Sequence, residues 1–267
     1  MMKRIAFDEI GIEAGGVQLY AAACGDPGGE PVIFLHGISE NGSAFGPIMA
    51  ALPQHRRYIA LDLRGRGRSG KPASGYAMRD YIADLLALWN ALPGGGKPAL
   101  IGHSMGARIA AAFAAAYPEL TGRVMMIDPP LSGPGRPPFP LPLARFTVPK
   151  AMLDAGDLEA FRAHYAAIGI DPEAKARELK ACAPEAIEQS YLAMNEEPFH
   201  VWYRLLRVPA RLVACGGAPF IGPAEARELE ALNPSVDIRY LPEAGHELHK
   251  REPETTIRLI REFLEGR

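Results

Sequence analysis

An α/β fold built on a mostly parallel central sheet, flanked by helices and interrupted by a helical cap, is the class this sequence predicts. Three observations predict it. Four apolar runs, PVIFLHG from Pro31, RYIALDL from Arg57, PALIGHS from Pro98 and RVMMIDP from Arg123, are continuous rather than alternating, as strands covered on both faces require. Helical stretches lie between them, YAMRDYIADLLALWNAL from Tyr76 and the alanine-rich MGARIAAAFAAAYP from Met105, so the repeating unit is βα. After a gap the pattern resumes with ARLVACG from Ala210, a helix over residues 223–232, VDIRYL from Val236 and a closing helix over residues 253–264.

The gap, residues 129–208, opens on PPLSGPGRPPFPLP and then turns helical and polar with no strand-like run. It far exceeds the ~2 to 6 residues of an ordinary α/β connection. It predicts a helical cap over one edge of the sheet, dividing the chain into a first core part at 1–128, the cap at 129–208 and a second core part at 209–267.

Composition narrows the function. With 48% hydrophobic and 22% charged residues in 267, the chain can bury one sizeable core. A net charge of -2 and a pI near 6.4 leave no basic footprint for nucleic acid or an anionic membrane. The opening MMKRIAFDEI lacks an apolar leader segment, and no apolar run approaches the ~20 residues of a membrane span, so a cytoplasmic protein is expected. Cys24, Cys182 and Cys215 are odd in number and far apart, which reads as buried free thiols. No HExxH, CxxC or clustered carboxylates suggest a metal, and no GK[ST] follows the glycines of LDLRGRGRSG, so no cofactor is expected. The expected partner is a small molecule, with homo-oligomerisation left open.

The strongest local signal is GHSMG, residues 102–106, which fits G-x-S-x-G between a strand and a helix. There the serine occupies a sharp turn, and glycines two positions to either side let the backbone approach closely. Ser104 is the candidate nucleophile. A hydroxyl needs a base, and His246 in LPEAGHELHK follows the last strand across a short loop, where parallel strands collect functional groups at their carboxyl ends. His249 is expected to face solvent or the last helix, and His103 to be a packing residue. The third member of such a triad commonly follows the strand at residues 210–215, but GGAPFIGPAEA has no acid before Pro223. Asp128 instead ends the strand beside that of Ser104, so it is the expected triad acid, with Glu225 the rival. In FLHGIS the Ile38 amide, with that of Met105, can supply two donors for an oxyanion. Asp62 and the arginines after it read as turn and surface-pairing groups.

These motifs together resemble the α/β-hydrolase superfamily: HG, DLRGRGRS, GHSMG and AGH stand in its order, and the resemblance spans nearly the whole chain. GHSMGAR followed by IDPPLSGPGR is similar to the group of N-formylmaleamate deformylases of nicotinate degradation and 2-(acetamidomethylene)succinate hydrolases. That resemblance implies an α/β-hydrolase fold with its cap after strand six, a metal-independent serine hydrolase, and cleavage of an N-formyl or N-acyl enamine amide of a small dicarboxylate. It implies Ser104, Asp128 and His246 as the triad, with Ile38 and Met105 at the oxyanion. Such a substrate asks for cations in the cap, where Arg136, Arg145, Arg162 and Arg177 stand with Tyr165 and Trp202; Arg145 and Trp202 are the expected substrate-binding pair. A general carboxylesterase uses the same triad, and a hydrolase-fold small-molecule sensor is the alternative of another class. Dehalogenase and epoxide-hydrolase chemistry is set aside because position 104 is serine, not aspartate.

Overall fold

The continuous apolar runs are strands buried on both faces. In the computed structural model, which describes residues 5–93, 96–218 and 220–266, the strands are β1 (Asp8–Ala14), β2 (Val17–Gly25), β3 (Pro31–Leu35), β4 (Arg57–Asp62), β5 (Ala99–His103), β6 (Arg123–Ile127), β7 (Ala210–Cys215) and β8 (Val236–Leu241). The first four residues of the stretch read for a leader lie outside the described residues. The eight strands form one sheet in the order β1-β2-β4-β3-β5-β6-β7-β8, parallel from β4 to β8. Along β3, Ile33 and Leu35 enter one apolar layer while Val32 and Phe34 enter the other. Met126 and Met125 of β6 divide in the same way, so period-2 alternation persists with both sides apolar.

Helices cover the two faces. They are α1 (Gly46–Ala51), α2 (Met78–Ala91), α3 (Met105–Ala116), α4 (Ala144–Asp154), α5 (Leu158–Ala166), α6 (Pro172–Lys180), α7 (Pro184–Glu196), α8 (Phe199–Leu205), α9 (Pro223–Leu232), α10 (Leu248–Arg251) and α11 (Pro253–Leu264). Helices α2, α3, α8 and α9 contribute to one layer through residues such as Leu85, Phe113, Tyr203 and Leu229. Helices α1 and α11 contribute to the other through Ile48, Met49, Ile260 and Phe263. The strandless stretch is the insertion α4–α8 between β6 and β7. It has a small core of its own around Phe161, Tyr165, Leu179 and Ile187, while Ala186, Met194 and Phe199 join the main core. The insertion is thus anchored at its end and separately packed in its middle.

Two strands precede those read from the sequence. β1 and β2 form an antiparallel hairpin through Gly15 and Gly16, at φ 57° and 86°, the left-handed pair that a two-residue turn between twisted strands demands. β2 then pairs antiparallel with β4 and closes that side of the sheet. The loop after β4 also departs from its reading as surface groups. Only Arg68 pairs on the surface, with Glu9; Arg64 meets Asp84 in a buried pair and Arg66 is fully buried. Burial follows from the insertion, which lies over this loop and offers Arg66 the Ala186 carbonyl at 2.8 Å and the Ser190 hydroxyl at 3.0 Å.

One tight contact in the core is the crossing of α3 over β3. A Cβ on Gly106 would stand 2.1 Å from the Leu35 carbonyl oxygen, and one on Gly102 would stand 2.2 Å from that of Gly106. Only backbone could yield. Gly106→Ala should therefore destabilise the fold by about 3 kcal/mol through overpacking, read as a lower denaturant midpoint at unchanged m-value; a midpoint equal to that of the parent chain would contradict the crossing as described.

Candidate active site

The register of β5 against β6 decides where the chemistry sits. Gly102 pairs with Met126 and His103 with Ile127, so the next residues, Ser104 and Asp128, leave neighbouring strands at the same level of the carboxyl edge. Among the described residues these are the two non-glycine positions with positive φ, 55° and 47°. Each is pinned by the strand beside it. The Ser104 amide donates to the Ile127 carbonyl at 2.9 Å, and the Asp128 amide to that of Val213 at 2.8 Å. Arg108, one turn into α3, donates to the carbonyls of Pro130 and Ser132 at 2.9 and 2.8 Å. The arginine of GHSMGAR thus holds the loop of IDPPLSG, and the two motifs are one structure.

Asp128 is fully buried, and its carboxylate is divided between two donors. Oδ1 accepts from the Cys215 amide at 3.2 Å, and Oδ2 accepts from His246 Nδ1 at 2.6 Å. A proton on Nδ1 is required for that bond, which leaves Nε2 free to act as base. The His246 ring packs 4.3 Å from Phe220 and 4.6 Å from His103, between centroids. Burial holds its pKa below the ordinary histidine value, outweighing the Asp128 bond that raises it. The rival acid, Glu225, instead accepts from the Gly222 amide at 3.1 Å in the first turn of α9. That bond commits it to capping the helix.

The turn after β3 carries the Ile38 amide. Glu40 closes this turn by accepting from the Gly37 amide at 2.9 Å, while Arg66 donates to the Ile38 carbonyl at 3.1 Å. His36 stands beneath. The Leu63 amide donates to its Nε2 at 3.0 Å, so Nδ1 carries the hydrogen and donates to the Gly37 carbonyl at 2.8 Å, and burial pushes its pKa down to about 3. It is a neutral strut. Across from the turn, Met105 opens α3, so its amide is one of those with no acceptor inside the helix.

Ser104, His246 and Ile38 share one cavity of about 320 Å³, within the range that holds small ligands. Its walls are mainly apolar, with Phe139, Leu141, Phe146, Ile170 and Phe220, and Tyr165 also lines it. The structure brings Arg145 to this cavity, where among the described residues it meets no carboxylate and only His164 Nε2 at 3.4 Å. Trp202 is not brought there. It packs against the main core with its ring 5.9 Å from the Arg108 guanidinium, drawn inward by a buried cation on α3. Arg136 and Arg162 are taken up by Glu228 and Glu173 at the surface.

Sequence reasoning missed a buried charged group behind the site. Glu40, His103 and His249 present ligand atoms within 4.8 Å of one another, a spacing that could hold a metal. Lys250, however, places its ammonium 2.6 Å from Glu40, so the carboxylate already has a cation; Glu40 lies well below the usual carboxylate range because Lys250 and its other partners outweigh its burial. His249 does not face solvent. It is buried and stacked on Phe45 at 5.1 Å, because α10 packs against the turn at residues 42–45 and against α11. His103 does more than pack, since its Nε2 donates to the His246 carbonyl at 2.9 Å. The one sequence signal for the cluster was the acid of HGISE, three residues beyond the glycine.

The sequence model of the alpha/beta hydrolase family matches residues 32–259. The chain is 30% identical over 240 residues to N-formylmaleamate deformylase of Pseudomonas putida, covering 88% of each, and 27% identical to 2-(acetamidomethylene)succinate hydrolase of Mesorhizobium japonicum, covering 89% of each. A crystal structure of the N-formylmaleamic acid deformylase of Pseudomonas putida superposes with a TM-score of 0.85 at 26% identity, over 95% of this chain and all of that one. No helix among the described residues is long and apolar enough to cross a membrane.

The lowered pKa of His246 sets a pH dependence. Only neutral Nε2 can accept a proton, and a depressed pKa keeps it neutral further into acid, so acylation by a neutral ester should rise with pH on a single ionisation centred below ~6.5. A midpoint above 7 in the kcat/KM profile would contradict the burial of this ring.

Proposed function

The chain belongs to the alpha/beta hydrolase family and is an enzyme of the serine-hydrolase type; from that premise we propose that it hydrolyses the C–N amide bond of a small N-formyl or N-acyl enamine dicarboxylate. The nucleophile is Ser104, the base His246 and the orienting acid Asp128. The observation that carries this reading is the cavity shared by Ser104 and His246, into which Arg145 brings a cation with no carboxylate beside it. A buried or half-buried arginine left in that state favours an anionic ligand, and a carboxylate matches its fork.

In the proposed reaction, Ser104 Oγ attacks the formyl or acyl carbonyl while His246 Nε2 takes its proton. The Ile38 and Met105 amides receive the developing oxyanion. His246 then passes the proton to the departing enamine nitrogen, and the C–N bond breaks to leave an acyl-serine. Water, deprotonated by His246 Nε2, attacks the ester, and the proton then passes to Ser104 Oγ as formate or a small acid is released. The Asp128 bond at 2.6 Å keeps Nε2 as the base and stabilises the imidazolium of each transition state. An enamine nitrogen leaves more readily than an alkyl amine, which suits a hydrolase of this type. We further propose a cytoplasmic setting, which the three buried free thiols suit.

Two measurements test the assignment. Ser104→Ala keeps a small residue at the turn and should lower turnover by more than about 10³-fold with the fold intact, and Asp128→Asn should do nearly as much, because asparagine tolerates the left-handed backbone but lacks the anion. Glu225→Gln should stay within about twofold of the parent, since it alters a cap; an inactive Glu225→Gln beside an active Asp128→Asn would move the acid to the loop after β7. In a panel of N-formyl and N-acetyl enamine dicarboxylates beside aryl esters, release of formate or acetate should be fastest from a dicarboxylate, and Arg145→Met should raise KM for it by about 10-fold or more. Preference for uncharged esters, indifferent to Arg145, would make the enzyme a general carboxylesterase.

A further inference from the structure

Lys175 lines the same cavity as Arg145, yet its chemistry is different. Its ammonium is buried and has three acceptors: the Ser39 carbonyl at 3.0 Å, the Ser39 hydroxyl at 3.0 Å and Glu178 at 3.3 Å. An ammonium has three protons, so none remains for a ligand. What it holds is the residue after Ile38, from a helix of the insertion.

Glu178, one turn further along α6, reaches the other side of the site. It accepts from Lys250 at 2.8 Å, and Lys250 in turn meets Glu40 at 2.6 Å. Glu40 accepts from the Gly37 amide and stands 3.3 Å from His103 Nδ1, whose other nitrogen donates to the His246 carbonyl. Charges alternate from Lys175 through Glu178 and Lys250 to Glu40, and each of these ions has an opposite neighbour. Removing charges from water costs several kcal/mol per ion, so a series this enclosed holds only when α6 is seated.

We propose that Lys175 and Glu178 are positioning residues for catalysis: through Ser39 they set the oxyanion turn, and through Lys250, Glu40 and His103 they set the backbone of His246. This rests on the reading of the Ile38 amide as an oxyanion donor. The insertion then does more than select substrate. Its seating on the core completes the geometry in which both amides and the base face the same point, and a displacement of about 1 Å there costs roughly 10²-fold in rate.

The test separates positioning from substrate binding. Lys175→Met and Glu178→Gln are compared with the parent chain on p-nitrophenyl acetate, on an N-formyl enamine dicarboxylate and in the rate of Ser104 labelling by a fluorophosphonate, all normalised to folded protein. The expected result is a kcat lower by about 10- to 100-fold on both substrates, with KM within about threefold and labelling slowed in step. A KM for the dicarboxylate raised tenfold, with ester turnover and labelling unchanged, would overturn the proposal and make Lys175 a substrate ligand. Unchanged kcat on both substrates with unchanged labelling would overturn it as well. Where Lys175→Met fails to fold, Ser39→Ala removes one of the three acceptors and should lower kcat by about two- to fivefold on both substrates; a silent Ser39→Ala would count against the link. If the parent chain does not turn over the dicarboxylate, the proposed substrate fails, while the ester and labelling arms still decide the positioning role.

Discussion

The parallel register of β3, β5 and β6 is the constraint on which the site depends. Leu35 pairs with Gly102, and His103 with Ile127, so three loops leave the sheet at one level: the turn of Ile38, the turn of Ser104 and the bend of Asp128. A shift by one residue would reverse every side chain between two buried layers, which the apolar residues on both faces forbid. The two left-handed residues at the ends of β5 and β6 cost about 1–3 kcal/mol each in backbone strain. That strain is tolerated because each amide is hydrogen-bonded to the adjacent strand and Arg108 anchors the loop beyond Asp128. The strain also aims the side chains outward from the sheet edge.

Around this edge the protein buries an unusual number of charges. Glu40, Arg66, Arg108, Lys175 and Asp128 are all at most 8% exposed, and each makes several hydrogen bonds. Such groups contribute little net stability, since desolvation offsets most of their attraction. Their effect is on geometry. An arginine that bonds the Ile38 carbonyl, a core tyrosine hydroxyl and a carbonyl of α7 leaves the turn of Ile38 few alternative positions. Histidines are treated in the opposite way: burial pushes both His36 and His246 toward the neutral state, in which His36 is a strut and His246 leaves Nε2 without a proton.

Legibility in the sequence followed the range of the interactions. The bounds of α9 and α11, the strand and helix on either side of GHSMG, and the bond between Asp128 and His246 were all within reach of pattern and elimination, because local propensity and strand order determine them. The hairpin of β1 and β2 carries a Gly-Gly turn signal that the reading of apolar runs passed over, since its strands alternate and lie at the sheet's edge. The buried charges were not legible. Arg66 and Lys175 look like surface residues until partners 124 and 136 positions away are known. Trp202 misled for the same reason: an aromatic in a cap helix reads as a pocket wall, whereas the buried Arg108 on α3 makes it a packing residue.

Two cations that a sequence cannot tell apart therefore have opposite parts in this cavity. Arg145 faces it beside a histidine, with no carboxylate among the described residues within ion-pair distance. Lys175 faces it with every proton already given to Ser39 and Glu178, so its charge is spent within the protein. The distinction is one of satisfied and unsatisfied hydrogen-bonding capacity. One helix, α4, carries the cation that faces the cavity unpaired among the described residues; another, α6, carries the one that bonds Ser39. Because both helices pack against a common small core around Phe161 and Leu179, the two cations are carried by a single body.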